Sequence, residues 1–247
     1  MKPINKLNTP ARIGMELVER FYNYYLFAKS TLTSIPTFDV NDPEKKALIG
    51  KQWGMIIKPN DCVTILEFLD RFRGHKHVAV CEIGTASGAT ANRIVEYLRL
   101  LNITTTYFGL DNLSLGLTPS LDYGRMYFRN GDRESLAELV TESLDFAFVD
   151  GCHCEDCVRE DSIVISRYIK PGGFMLFHDA SLFAQYPSSL KSRLRWQHYG
   201  TSANQKPLAV LKGIETSQGK WAGEWDLIVQ DNDHLPCGGI RIYERTK

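Results

Sequence analysis

Past Gly74 short apolar runs alternate with longer amphipathic ones, and this alternation constrains the fold more than any other feature of the chain. Strands are expected near 77–83 (HVAVCEI), 105–110 (TTYFGL), 126–129 (MYFR), 145–149 (DFAFV) and 173–177 (GFMLF). Helices are expected between them, near 88–101, 133–142 and 155–168. Strands that alternate with helices form a parallel sheet covered on both faces. Two further strands, WDLIVQ and GGIRIYER, are joined by the turn-rich DNDHLPCG. So short a link permits an antiparallel pair but no helical crossover. The expected architecture is a doubly wound α/β sheet of seven strands, mostly parallel, with an antiparallel last strand.

The front of the chain has a different texture. Thr9-Pro10 is a helix start, with threonine as cap and proline in the first turn. Ile13, Leu17, Phe21 and Leu26 then mark an apolar stripe at roughly helical spacing. Residues 33–44 read as a loop, Lys45 to Ile57 as a second helix, Pro59-Asn60 as a break, and VTILEFLDRF as a third helical stretch. The simplest organisation is one domain: residues 1–74 a helical N-terminal extension or lid, residues 75–247 the α/β core. Lys plus Arg equals Asp plus Glu at 29 each, so no long-range pull on nucleic acid or anionic lipid is expected. No run of 18 apolar residues indicates a membrane helix. The N-terminus lacks an apolar signal core, so the default compartment is the cytoplasm, where the six cysteines would be reduced.

The segment VAVCEIGTASGATA, 78–91, is a buried strand, a glycine turn and a helix start. Gly84 allows a tight turn, and Gly88 allows a ligand to approach the backbone. Thr85 and Ser87 fill the turn between them. Doubly wound sheets bind ligands where a strand end opens into a helix. The nucleotide motif G-x-G-x-x-G would hold a pyrophosphate at the helix N-terminus, but Ala86 stands where its second glycine should be. Glu82, two residues before the first glycine, would repel a pyrophosphate and suits the ammonium group of a bound amino acid. S-adenosylmethionine (SAM) carries such an amino acid and no phosphate. Asp111 ends the next strand, near the spacing at which an acid reaches ribose hydroxyls; it could equally serve a turn. Asp132 follows the third strand and could cap a helix, accept a hydrogen bond from an adenine amino group, or do both.

Together these blocks resemble the class I SAM-dependent methyltransferases, whose Rossmann-like fold carries the same order of motifs. The second half resembles one branch of that family, which includes macrolide-tailoring O-methyltransferases and cephalosporin-hydroxylase-like proteins. DFAFVDGCHCEDCVREDS followed by YIKPGGFMLFHDA supplies the branch pattern at Asp150, Gly151, His153, Asp161, Pro171, Gly172, Gly173, His178 and Asp179. The resemblance covers roughly 75–180 and carries no substrate with it.

The resemblance implies O-methylation of a hydroxyl on a small molecule, with SAM as donor and a divalent cation, magnesium first, beside it. SAM would be bound by Glu82, Gly84, Thr85, Ser87, Gly88, Asp111, Asp132 and Asp150. Asp150 and Asp179 would hold the cation from the ends of adjacent strands. Relatives with a well-formed metal site carry an acid directly before the second aspartate. Here that position is His178, and imidazole is a poorer magnesium ligand than carboxylate. His178 is therefore a candidate ligand, an alternative base or a substrate-positioning donor. His153 is the expected general base, its pKa lying near operating pH.

Three rivals stand beside this reading. Cys152, His153, Cys154 and Cys157 are all zinc-type ligands, although four ligands within six residues are hard to wrap tetrahedrally. An NAD-dependent oxidoreductase would use a similar sheet, and a non-catalytic module could retain the fold. The stretch 180–225, rich in Tyr, Trp, Arg and Ser, could cover the acceptor or form a dimer interface.

Overall fold

Seven strands form one sheet: β1 (His77–Ile83), β2 (Thr104–Asp111), β3 (Gly124–Asn130), β4 (Leu144–Val149), β5 (Ile169–Phe177), β6 (Trp225–Gln230) and β7 (Arg241–Arg245). The computed structural model describes residues 42–51, 57, 59–112, 124–180, 209–230 and 239–247. The apolar stripe from Ile13 to Leu26, nearly all of the 33–44 loop and most of the 180–225 stretch lie outside the described residues.

The strand order is β3-β2-β1-β4-β5-β7-β6. The first five strands run parallel, and β7 lies between β5 and β6, antiparallel to both. This is the doubly wound sheet read from the alternation. The order reverses between β1 and β4, and the crevice beyond the strand ends at such a reversal is where open α/β sheets bind ligands. β1 is buried at every position except His77, as expected of a strand covered on both faces. Its successive side chains divide between two cores. Val78 and Val80 join Phe146, Phe148 and Phe174 on one face, while Ala79 and Cys81 join Ala147 and Met175 on the other.

Helices pack on both faces: α1 (Pro43–Ile49), α2 (Pro59–Leu69), α3 (Ala89–Leu100), α4 (Leu136–Leu139), α5 (Glu155–Ile165) and α6 (Val210–Ser217). Asp42 caps α1, its carboxylate accepting from Glu44 N and Lys45 N. That helix stops at Ile49, well short of Ile57. Pro59, expected as a break, opens α2 instead, because a proline at the first helical position lacks only an N–H that the helix start leaves unbonded. The helix expected over 133–142 is a 3-10 turn, Arg133–Ser135, leading into the short α4.

α6 has no counterpart in the expectations. Its mid-helix Gly213 obscures the helical signal, yet a Cβ there would lie 2.7 Å from Val158 Cβ of α5. The glycine permits close packing of α5 on α6. No helix among the described residues is long and apolar enough to cross a membrane.

Candidate functional site

The site begins where β1 ends. Gly84 N donates to Leu110 O of β2 at 2.8 Å, and Asp150 N donates to Ile83 O at 2.9 Å, so the ends of three strands meet at the glycine turn. Gly84 has φ +93°, and a Cβ on it would sit 2.3 Å from Asp150 O. We expect Gly84→Ala to lower stability by more than about 2 kcal/mol, since it adds both left-handed strain and a clash with backbone. Urea denaturation checks this, and an unchanged midpoint would contradict it.

Gly88 also has positive φ, and so does Ala86 at 43°. The absent second glycine therefore leaves the turn's conformation intact. Ala86 N donates to Asp111 Oδ2 at 2.8 Å, which ties the end of β2 to the turn and turns Asp111 toward it. Thr85 is buried, its hydroxyl donating to Glu82 O at 3.3 Å, whereas Ser87 is exposed. Asp132 occupies the cap position before Arg133–Ser135, but its side chain makes no capping bond and is exposed.

Glu82 is 1% exposed. Burial pushes its carboxyl up to about 8, the nearby charges of Asp150 and Asp111 push the same way, and the Tyr107 hydroxyl opposes them by donating to Oε2 at 2.9 Å. Three carboxylates thus converge on the turn. That environment is hostile to a pyrophosphate and receptive to a cation.

The second half of the site gathers at the ends of β4 and β5. Asp150 Oδ1 lies 3.1 Å from His153 Nε2 and 2.8 Å from His178 Nδ1. Asp179 Oδ2 lies 3.6 Å from His153 Nε2. The structure therefore brings Asp150, His153, His178 and Asp179 together. Two electron-rich atoms this close need positive charge between them, either a proton or a metal. Burial works against the Asp150 carboxylate, yet the His178 and His153 rings hold its pKa well below the usual carboxylate range. Burial likewise opposes charge on His178, but Asp150 and Asp179 outweigh it and raise that ring well above ordinary histidine. His153 shifts in the same direction, Asp179 and Asp150 again overcoming burial. Asp179 has φ +53°, an uncommon conformation for a non-glycine residue, and its neighbour's Ala180 N is anchored to Gly239 O at 3.0 Å.

Sequence reasoning missed Asp61. It lies in the first turn of α2, fully buried, with Oδ2 3.2 Å from His178 Nε2 and Oδ1 accepting from Gly239 N at 2.9 Å. A signal was present: Asp61 shares a helix face with Ile65 and Phe68, all three buried. A carboxylate on a core-facing stripe requires a partner, and His178 is that partner.

The cysteine run is split by the fold. His153 faces Asp150, while Cys152, Cys154 and Cys157 gather by themselves with sulfurs within 4.8 Å of one another. The four-ligand zinc reading does not form, because His153 belongs to the other cluster. Asp161 faces Arg133, whose Nε donates to Oδ1 at 2.8 Å.

Residues 81–180 match a family model described as a methyltransferase domain. Solved methyltransferase structures share the fold of this chain. MycE, a methyltransferase of the mycinamycin biosynthetic pathway solved with Mg and SAH, is 18% identical with a TM-score of 0.54 over 83% of this chain and 55% of that one. A second MycE structure, with Mg, SAH and mycinamycin VI, is aligned at 14% identity and a TM-score of 0.54, over 89% of this chain and 63% of that one. The O-methyltransferase TomG from Streptomyces achromogenes, in complex with SAM, is 13% identical with a TM-score of 0.50 over 89% of this chain and 96% of that one. The chain spans little more than half the length of MycE. No curated protein sequence matches it. The matched stretch covers the glycine turn, Asp111, Asp132, Asp150, His153, His178 and Asp179, and leaves Asp61 outside.

Proposed function

We propose that this chain transfers the methyl group of SAM to a hydroxyl oxygen of a small molecule, with His153 taking the hydroxyl proton. The observation that carries the reading is the placement of His153 Nε2, 3.1 Å from Asp150 Oδ1 and 3.6 Å from Asp179 Oδ2, beside the strand ends that meet the glycine turn. An imidazolium formed there is stabilised by both carboxylates, which suits a proton acceptor.

The donor set around the turn fits SAM. Glu82 would hold the ammonium group and Asp111 the ribose hydroxyls. Asp132 would accept from the adenine amino group, and the backbone of Gly84, Thr85, Ser87 and Gly88 would let the ligand approach closely. When bound, SAM supplies a methyl group on a sulfonium that is already a good leaving group. The residues therefore need chiefly to align the acceptor and generate an oxygen nucleophile.

Asp150, Asp179 and His178 are the residues that would hold a divalent cation. The set contains a nitrogen donor, and Asp61 on the far side of the ring is the carboxylate partner that metal-binding histidines characteristically use. Such a set suits manganese, iron or zinc better than magnesium. When bound, the cation would orient the acceptor hydroxyl and lower its pKa. Asp150 also holds His153 in place.

Isotope-labelled SAM offered with a fraction of hydroxylated small molecules tests the proposal. The expected product is a methyl ether. Chelation should lower turnover by more than about tenfold, with manganese restoring it better than magnesium. Transfer to nitrogen in place of oxygen would overturn the acceptor class, and turnover indifferent to chelation would remove the cation.

A further inference from the structure

The three cysteines at the start of α5 are unused by the chemistry above. Cys154 is the N-cap of α5, and its sulfur accepts from Cys157 N at 3.4 Å. Cys152 Sγ donates to Cys154 Sγ at 3.4 Å. Three sulfurs bound to one zinc-sized ion at about 2.3 Å stand roughly 4 Å apart. The observed spread, within 4.8 Å, therefore needs little movement to become a coordinated triad. Cys152 is exposed, Cys157 half-buried and Cys154 buried, so an ion can enter from solvent past Cys152.

The hydrogen bond to Cys154 and burial push the Cys152 thiol up, and burial does the same to Cys157, so these groups hold their protons until an ion displaces them. A helix N-terminus stabilises negative charge on groups at its first turn. The acids of that turn are already paired, Glu155 with Lys212 at 2.8 Å and Asp156 with Arg159 at 3.1 Å. His153, which lies between two of the cysteines in sequence, is turned to Asp150 and supplies no fourth ligand.

We propose that Cys152, Cys154 and Cys157 form a second cation site, specific for a thiophilic d10 ion of the zinc class. Three thiolates hold the ion, and its fourth position is open to solvent. Each thiol that coordinates gives its proton to solvent, so binding is proton-releasing and strengthens with pH. Soft thiolate ligands separate this site from the oxygen- and nitrogen-rich cluster around Asp150.

The test is a titration of the full reduced chain with cadmium(II), read by the ultraviolet thiolate-to-metal charge-transfer band that oxygen and nitrogen sites do not give. One equivalent should saturate the band. Cys152→Ser and Cys157→Ser should each weaken binding at least about tenfold, because each removes one of three ligands. Cys237→Ser and Asp150→Asn should leave the band unchanged. Cys152 is exposed, so Cys152→Ser is expected to keep the wild-type circular dichroism, and its result stands even if Cys157→Ser fails to fold. No band in the wild type, or a band unaltered in Cys152→Ser, overturns the proposal.

Discussion

Replacing His153 with alanine should cut turnover about a hundred- to ten-thousand-fold, the usual contribution of a general base, while the affinity for SAM stays within about twofold. This split follows from the placement of the ring. It lies beside Asp150 and Asp179, on the side of the strand ends proposed for the acceptor, whereas Asp111 is tied to the glycine turn, which with Glu82 is the proposed donor side. Its main chain is anchored independently, since Ala209 N donates to His153 O at 2.9 Å. The loop should therefore keep its course without the imidazole. Single-turnover kinetics with saturating SAM, paired with calorimetric SAM binding, checks the expectation. A variant that loses SAM affinity in proportion to turnover would show that the ring organises the donor pocket. A variant that retains most of its turnover would leave the deprotonation to another group.

Glu82→Gln should weaken SAM about ten- to a hundredfold, the equivalent of one charge-assisted hydrogen bond, and should leave the free protein at least as stable as wild type. The two effects share one cause. Burial moves the Glu82 carboxyl from 4.5 up to about 8 in the folded chain. The folded state then holds a proton that the unfolded state releases near 4.5, so stability is fully present below that pH and falls as pH rises toward about 8. Glutamine can still accept from the Tyr107 hydroxyl but has no charge to bury, so this fall should flatten. A bound ammonium group favours the carboxylate form. SAM binding near neutral pH should therefore expel a proton from Glu82, and affinity should climb with pH up to about 8. Calorimetry in buffers of different ionisation enthalpy measures the proton. Equal SAM affinity in Glu82→Gln would place the ammonium group elsewhere.

The parts of this molecule that could be read in advance are those set by local periodicity. β1 is a run of apolar residues broken by Gly84, and β4 and β5 end directly at Asp150 and His178. Parallel strands joined by helices bring those ends to one edge of the sheet, so motifs far apart in sequence converge there. What escaped is non-local or masked. Asp61 meets His178 across 117 positions of sequence, a pairing that no spacing rule contains. α6 was hidden by Gly213, whose reason is the close passage of Val158. The separation of His153 from its cysteine neighbours depends on where the β4–α5 loop turns, and composition is silent about that. Ala86 is the opposite case: it argued against the pyrophosphate motif because a glycine is expected there, yet its backbone adopts positive φ all the same and Asp111 holds its N–H.

The central claim is that the glycine turn and its three carboxylates receive SAM rather than a dinucleotide, and thermal unfolding of the free chain with each ligand tests it most directly. SAM at a hundred times its Kd should stabilise the fold by about 2.7 kcal/mol. For a chain of this size that raises the melting temperature by roughly 5–10 °C. NAD at the same concentration should leave it unchanged. A rise with NAD and none with SAM would contradict the account.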